Sequence, residues 1–222
     1  MIPLRDTERS YSPPIATVLL IVANAMAFFF ELSLDPFSRN HLIMVFGVVP
    51  AELNYTTLVT SMFLHGGWMH LIGNMWFLWI FGDNVEDVMG HAKFVLFYLL
   101  CGVAAALTHV ALNGDSTMPT IGASGAIAGV MGAYLVKFPR ARVLTLVPIF
   151  FFLTTYELPA AVLLLYWFVI QLFSGVGSVA YSSSSQGGTA WFAHVGGFLV
   201  GVALVWVFAT RDPYRKRREL RW

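Results

Sequence analysis

Charged residues are scarce in this sequence. Asp, Glu, Lys and Arg make up 11% of its 222 residues, against 58% hydrophobic ones. A soluble domain of this length cannot hide so much apolar side chain, so the bilayer is implied as its solvent. Cysteine is almost missing: the single Cys101 excludes an internal disulfide and reads as a packing residue. No repeat of the kind that builds two-halved transporters occurs.

What is present is apolar sequence in long runs, with a mean hydropathy of +0.72. Crossing a hydrocarbon core of roughly 30 Å takes about 20 helical residues. Six stretches qualify: Ile15 to Leu32, Trp68 to Val85, Phe94 to Leu112, Ile121 to Phe138, Leu158 to Ser174 and Trp191 to Ala209. The first is read as a permanent span rather than a signal peptide, because Ala23-Asn24-Ala25 lies inside it and no cleavage site follows. A seventh run, Val143 to Tyr156, reaches only ~21 Å as a helix and contains Pro148. It is expected to lie in the interface or to re-enter partway.

Charge position supports six. Of the 13 Lys and Arg, all but Arg39 fall at Arg5 and Arg9, at Lys93, at Lys137, Arg140 and Arg142, and in the tail from Arg211 to Arg221. Six spans put these four places on one side, which the positive-inside rule makes cytoplasmic. The expectation is one all-α membrane domain over residues 1–222. Its polar segment 1–14 and basic tail 210–222 are cytoplasmic, in a plasma or inner membrane. The tail reads as an orientation signal, not a nucleic-acid or lipid-specific site.

Two outside loops stand out. Ser33 to Gly67, between the first two helices, is long and half apolar, and is expected to lie on or in the interface. Gly175 to Ala190 is small and polar, with Ser182 to Ser185 followed by Gln186, Gly187 and Gly188; it is expected to be mobile.

Polar groups inside lipid are costly, so each asks for a reason. His70 and Asn74 sit four apart at the start of the second span, hence on one face. Ser124 lies in Gly122-Ala123-Ser124-Gly125 at the start of the fourth, and His194 opens the sixth. Spans two, four and six enter from the same, non-cytoplasmic side. Ser124 and His194 are then each ~5 Å deep and Asn74 ~9 Å. Gly122, Gly125, Gly129 and Gly132 on the fourth span, and Gly197 and Gly201 on the sixth, leave small faces that let the helices approach. That approach could bring His194 to Ser124. A metal site at His65, His70 and His194 is disfavoured: helix histidines that share zinc normally sit four apart, and no carboxylate accompanies these.

At this point the residues resemble a known family, the rhomboid proteases, from the first span to the sixth. Four motifs carry the likeness: His65, His70 and Asn74 in HGGWMHLIGN; Gly82, Glu86 and Gly90 in GDNVEDVMG; Gly122 to Gly125 in GASGA; and His194 to Gly201 in AHVGGFLVG. The resemblance implies a bundle of six transmembrane helices and an intramembrane serine protease with a Ser-His dyad and no cofactor. Ser124 would attack a peptide carbonyl in or beside a substrate's transmembrane helix, with His194 as general base. His70, Asn74 and the amides of Ala123 and Ser124 would hold the oxyanion. Gly122, Gly125, Gly197, Gly201 and Glu86 would be structural near the site. Lateral substrate entry near spans two and five, under the loop Gly175 to Ala190 as a lid, is also implied.

Two departures from the family pattern bear on this. A Trp-Arg pair of the first outside loop is replaced by Thr56 and Thr57, and an aromatic residue four after the nucleophile is replaced by Ala128. The first concerns how the loop is anchored, the second how His194 is held. Two other readings remain open on sequence: an inactive relative that binds transmembrane helices, and a transporter. Retention of both Ser124 and His194 speaks against the first, and the shallow, mostly uncharged polar cluster against the second.

Overall fold

The computed structural model describes residues 2–149, 152–181 and 191–211. Six long helices form the body: α1 (Ile15–Ser33), α4 (Trp68–Met89), α5 (His91–Leu112), α6 (Ser124–Lys137), α7 (Ala160–Tyr181) and α8 (Trp191–Phe208). Each corresponds to one expected span. Among the described residues, α1, α5 and α8 are long and apolar enough to cross a membrane; α6 and residues 160–173 are shorter apolar helices. The outward faces are apolar, with Leu19 63%, Phe29 58%, Phe173 71% and Trp206 70% exposed. Such large bare hydrophobics suit lipid and not water.

The core lies where α4, α5, α6 and α8 meet, around fully buried Leu78, Phe81, Phe97, Tyr98, Met131 and Tyr134. Closest packing is between α6 and α8, and glycines permit it. A Cβ added at Gly197 would lie 2.0 Å from the Gly125 carbonyl oxygen, and one at Gly201 2.1 Å from that of Gly129. Those neighbours are backbone and cannot rotate away. Cys101 packs from α5 against Gly129 and is fully buried. Gly201→Ala is therefore expected to push α8 off α6, to cost about 1–3 kcal/mol by overpacking, and to lower the thermal unfolding midpoint in detergent. A midpoint equal to that of wild type would show that the two helices have slack.

The fold is not all-α. Strands β1 (Ile2–Asp6), β2 (Arg142–Ile149) and β3 (Phe152–Pro159) form an antiparallel sheet in the order β1-β2-β3. The run Val143 to Tyr156, expected as an interfacial or re-entrant segment, is thus most of a β-hairpin. The physical reason is its composition. β-Branched Val143, Thr145 and Val147 recur at every second position, which puts them on one face of a strand. Val143 and Thr145 are fully buried. Ala160, not Leu158, then begins the fifth helix.

The N-terminal segment is tied down as strand β1 rather than free. Trp76 Nε1–H on α4 donates to the Pro3 carbonyl at 2.6 Å. Asp6 accepts from the Tyr134 hydroxyl at 2.5 Å and from Asn84 Nδ2 at 2.9 Å. Burial pushes the Asp6 carboxyl up to about 7; the Tyr134 bond opposes this, and Asp83 and Glu8 add to it. A carboxyl raised above its unfolded value of 3.8 holds a proton in the fold that the unfolded chain releases. Stability from this group is therefore full below about pH 4 and is lost as pH rises to about 7. Amide exchange at residues 2–6 should accordingly quicken, beyond its intrinsic pH dependence, between pH 4 and 7, and Asp6→Asn should flatten the trend. Protection that grows over this range would contradict the assignment.

The first outside loop is more structured and more buried than expected. It contains α2 (Pro36–Phe46), the short α3 (Thr57–Thr60) and two 3-10 turns, Pro50–Glu52 and Ser61–Phe63. Asp35 caps α2 by accepting from the Phe37 and Ser38 amides. Of its apolar residues, Val48, Val49, Leu58, Met62 and Leu64 are buried against the bundle, while Phe46 and Tyr55 stay exposed. Thr56 and Thr57 sit in a turn made by Asn54, whose side chain accepts from the Thr56 amide and hydroxyl. Other bonds anchor the loop: Val48 pairs with Thr120, the Gly122 amide donates to Ser61 O at 2.9 Å, and the His65 amide donates to the buried Glu31 carboxylate at 3.0 Å.

The loop expected at Gly175 to Ala190 begins as the last two turns of α7, and residues 182–190 lie outside the described ones. Of the basic tail, Thr210 and Arg211 are described; the Arg211 guanidinium donates to Asp87 O at 3.1 Å, at the C-terminal end of α4.

Glu86 is corrected in position. It was expected near the site, yet it lies 12 residues from Asn74, ~18 Å along α4. There its carboxylate accepts from the amides of Ala16 and Thr17, both at 2.8 Å, and from the Thr17 hydroxyl at 2.7 Å. These are unpaired donors at the start of α1, which attract negative charge. His91 Nδ1 lies 2.5 Å away on its other side. Gly82 leaves the space that the Thr17 side chain fills, and Gly90, at φ +81°, turns the chain into α5. The motif GDNVEDVMG is a clamp between α1, α4 and α5.

Candidate active site

Ser124 begins α6, with its side chain toward α8. Its Oγ lies 2.7 Å from Nε2 of His194, a residue seventy positions later in the chain. The glycine contacts between α6 and α8 make this approach possible. His194 is 7% exposed. Ser124 is half-buried and lines a cavity of about 710 Å³ together with His70, Asn74, Gly122, Trp167 and His194.

The α4 side of the cavity offers donors. The Gly66 amide donates to Nδ1 of His70 at 3.3 Å. A neutral imidazole whose Nδ1 accepts must carry its hydrogen on Nε2. Nε2 faces Gly122: a Cβ there would come within 2.6 Å of it. Gly122 also has φ +123°, a region that L side chains rarely enter. Both facts restrict the position to glycine. Asn74 Nδ2 is buried and has no hydrogen-bond partner among the described residues. A buried donor left unpaired is costly and asks for an explanation. Beside them, the first N–H groups of α6 lack intrahelical acceptors. Ala123 is the N-cap residue and is fully buried. His70 and Asn74 from α4 thus line the same cavity as Ser124 at the start of α6.

Two residues at His194 were missed in the sequence, both on α7. Gln171 Oε1 lies 2.6 Å from Nδ1 of His194, and Gln171 is 6% exposed. The Trp167 ring lies against the imidazole, with centroids 5.7 Å apart and planes 35° apart. Trp167 supplies the aromatic contact that Ala128 does not. A signal was there: Gln171 is the one amide within the apolar run 160–173, and Trp167 stands four residues, about one turn, before it.

His65 and His109 have local partners. His109 Nε2 pairs with the Thr120 hydroxyl at 2.8 Å. His65 is fully buried, with its ring 5.1 Å from that of His70. Burial, with His70 beside it, pushes His65 down to about 4, so it is neutral at pH 7. Among the described residues no group of three or more His, Cys, Asp or Glu is placed to hold a metal ion.

Comparison with known proteins agrees with the motifs. The family model for the rhomboid domain matches residues 52–211. The chain is 29% identical over 195 residues to Rhomboid-like protein 11, chloroplastic, of Arabidopsis thaliana, covering 84% of this chain and 66% of that protein. It is 28% identical over 172 residues to Rhomboid protein 1, mitochondrial, of Saccharomyces cerevisiae, covering 74% and 45%. With the rhomboid protease GluP of Bacillus subtilis it shares 34% identity over 121 residues, covering 52% and 23%. The chain spans less than two thirds of the length of each of these relatives.

Proposed function

The chain belongs to the rhomboid family, and on that premise we propose that it is an intramembrane serine protease that cleaves peptide bonds within or next to transmembrane helices. One observation supports this above the rest: the 2.7 Å contact between Ser124 Oγ and His194 Nε2, two polar side chains on different helices of an apolar bundle.

In this reading His194 Nε2 takes the Ser124 proton as Oγ attacks the carbonyl carbon, and returns one to the leaving amine. The oxyanion forms against the α4 wall. His70 Nε2–H, Asn74 Nδ2–H and the amides of Ala123 and Ser124 donate to it. They are preorganised and largely shielded from water, where such donors stabilise a developing charge most. GluP carries the word protease in its name; the activity is proposed here for this chain on its own residues.

The six helices span the membrane in this reading, with both termini on the cytoplasmic side of a cell membrane. The argument for sidedness is the clustering of Lys and Arg; two of the relatives are named for chloroplast and mitochondrion, so the choice of a cell membrane rests on charge alone. At 14 residues, α6 is ~21 Å long, shorter than a hydrocarbon core of roughly 30 Å. With Lys137 at the cytoplasmic surface, Ser124 lies below the opposite surface but near enough for water to reach it through the cavity. Substrate helices enter between α4 and α7.

The test is direct. Wild type and Ser124→Ala are purified in detergent and each is incubated with a single-span substrate. Wild type is expected to cleave it and Ser124→Ala to leave it intact; equal cleavage by both would end the proposal. A wild-type protein that binds the substrate without cutting it would instead support the reading as an inactive helix-binding relative.

A further inference from the structure

His194 has two ring nitrogens, and their neighbours decide which one can take a proton. Nε2 faces Ser124 Oγ at 2.7 Å and Nδ1 faces Gln171 Oε1 at 2.6 Å. A carboxamide oxygen can only accept, so Nδ1 must donate to it. A neutral imidazole has one N–H. With that hydrogen on Nδ1, Nε2 presents a bare lone pair to the Ser124 hydroxyl, as a base must. In the other tautomer, two lone pairs would face each other across 2.6 Å at Nδ1, and Nε2 could accept nothing.

Among the described residues no other side chain meets Nδ1. The sixth helical segment, Trp191 to Ala209, holds no Asp or Glu, and none lines the cavity. On α6, Ala128 is too small to reach the ring. Both groups that hold the imidazole come from α7, one turn apart: the Gln171 oxygen at Nδ1 and the Trp167 ring tilted against the imidazole. An uncharged acceptor suits the place. A carboxylate would do the same work, but at a large desolvation penalty in a medium this apolar.

Resting on the proteolytic reading, we infer that Gln171 is a positioning residue that locks His194 in the Nδ1–H tautomer, with Trp167 fixing the ring plane, so that α7 is a working part of the dyad. Gln171 touches neither Ser124 nor the scissile bond. During attack the Oγ–carbon bond forms as the hydroxyl proton passes to Nε2, and the Nδ1 proton stays between ring and amide. Nothing is transferred to Gln171. A displacement of α7 that admits a substrate must therefore be reversed before His194 can act as a base, which couples gate position to chemistry.

Two substitutions and one spectrum test this. Gln171→Met keeps length and packing but loses the acceptor; kcat is expected to fall about 10–100-fold, as when an orienting partner of a histidine is removed, with KM within about twofold. Gln171→Glu restores an acceptor and adds charge. It is expected to retain cleavage and to move the acid limb of the kcat/KM pH profile upward by about one unit or more. A purely structural residue would lower stability in both variants and leave the limb in place. Wild-type kcat in Gln171→Met, or an unmoved limb in Gln171→Glu, would overturn the inference.

The spectrum needs no variant beyond an assignment control: ¹⁵N resonances of the His194 ring in labelled wild-type protein should show a protonated Nδ1 and a bare Nε2, and the reverse pattern would also overturn it. Ser124→Ala is assayed alongside. Cleavage that persists in Ser124→Ala ends the proteolytic reading, while the ring spectrum still decides the tautomer.

Discussion

Ser124→Ala and His194→Ala are each expected to lower kcat for a single-span substrate by about 10⁴-fold or more, and the double variant to be no slower than the worse single one. The reason is that the two side chains act as one unit. A serine hydroxyl is a poor nucleophile until a base removes its proton, and the base is of use only if a hydroxyl stands at 2.7 Å. Removing either partner removes the whole effect, so the losses cannot add. What persists in each variant is the donor wall, which still favours a tetrahedral species formed by water. Single-turnover rates in detergent, with excess enzyme, measure this cleanly. Losses that multiply in the double variant would mean that Ser124 and His194 act independently.

Asn74→Ala is the second large effect, and it has an unusual signature. One oxyanion donor is worth about 10²–10³ in rate, and the loss is expected in kcat, because the charge that it meets exists only in the transition state. Stability should move the other way or not at all. Asn74 is 8% exposed and its Nδ2 has no partner among the described residues. Its burial is a cost to the fold, and alanine removes that cost. A variant with a rate lower by two orders of magnitude and an unchanged or higher unfolding midpoint is the expected result. A lower midpoint with an unchanged rate would make Asn74 a structural residue.

Both predictions use residues that are visible in the sequence. Ser124, His194, His70 and Asn74 are polar groups in apolar helices, where each carries an energetic cost, so they stand out. The long apolar runs stand out for the same reason: such runs have one common solution in lipid. The glycines of α6 and α8 announce a close approach by their spacing, but not its extent: a Gly197 Cβ would lie 2.0 Å from the Gly125 carbonyl oxygen.

What stayed hidden has physical causes too. Length and Pro148 in the run Val143 to Tyr156 point to an interfacial or re-entrant segment; its period-two pattern of β-branched residues is legible, but β1, the partner of β2, lies 136 residues before it, and pairing at that distance leaves no local mark. Gln171 was overlooked because an amide in a helix is usually satisfied by a neighbour and carries no charge to betray it. Glu86 was placed near the site on family grounds, though it sits at the other end of α4, where the amides of Ala16 and Thr17 need an acceptor. Ala128 suggested a weakly held imidazole, and Trp167 supplies the contact from a different helix. Sequence reveals which residues are costly in lipid. It does not reveal which helix turns toward which.

The central claim is that Ser124 is a hydroxyl activated by His194. A fluorophosphonate reacts with an activated serine and not with an ordinary one, so the detergent-purified protein should be labelled and the adduct mapped by peptide mass spectrometry. The account predicts one adduct, on Ser124, that is lost in His194→Ala while the protein stays folded. An adduct on another residue, or equal labelling of Ser124 with and without the imidazole, would contradict it.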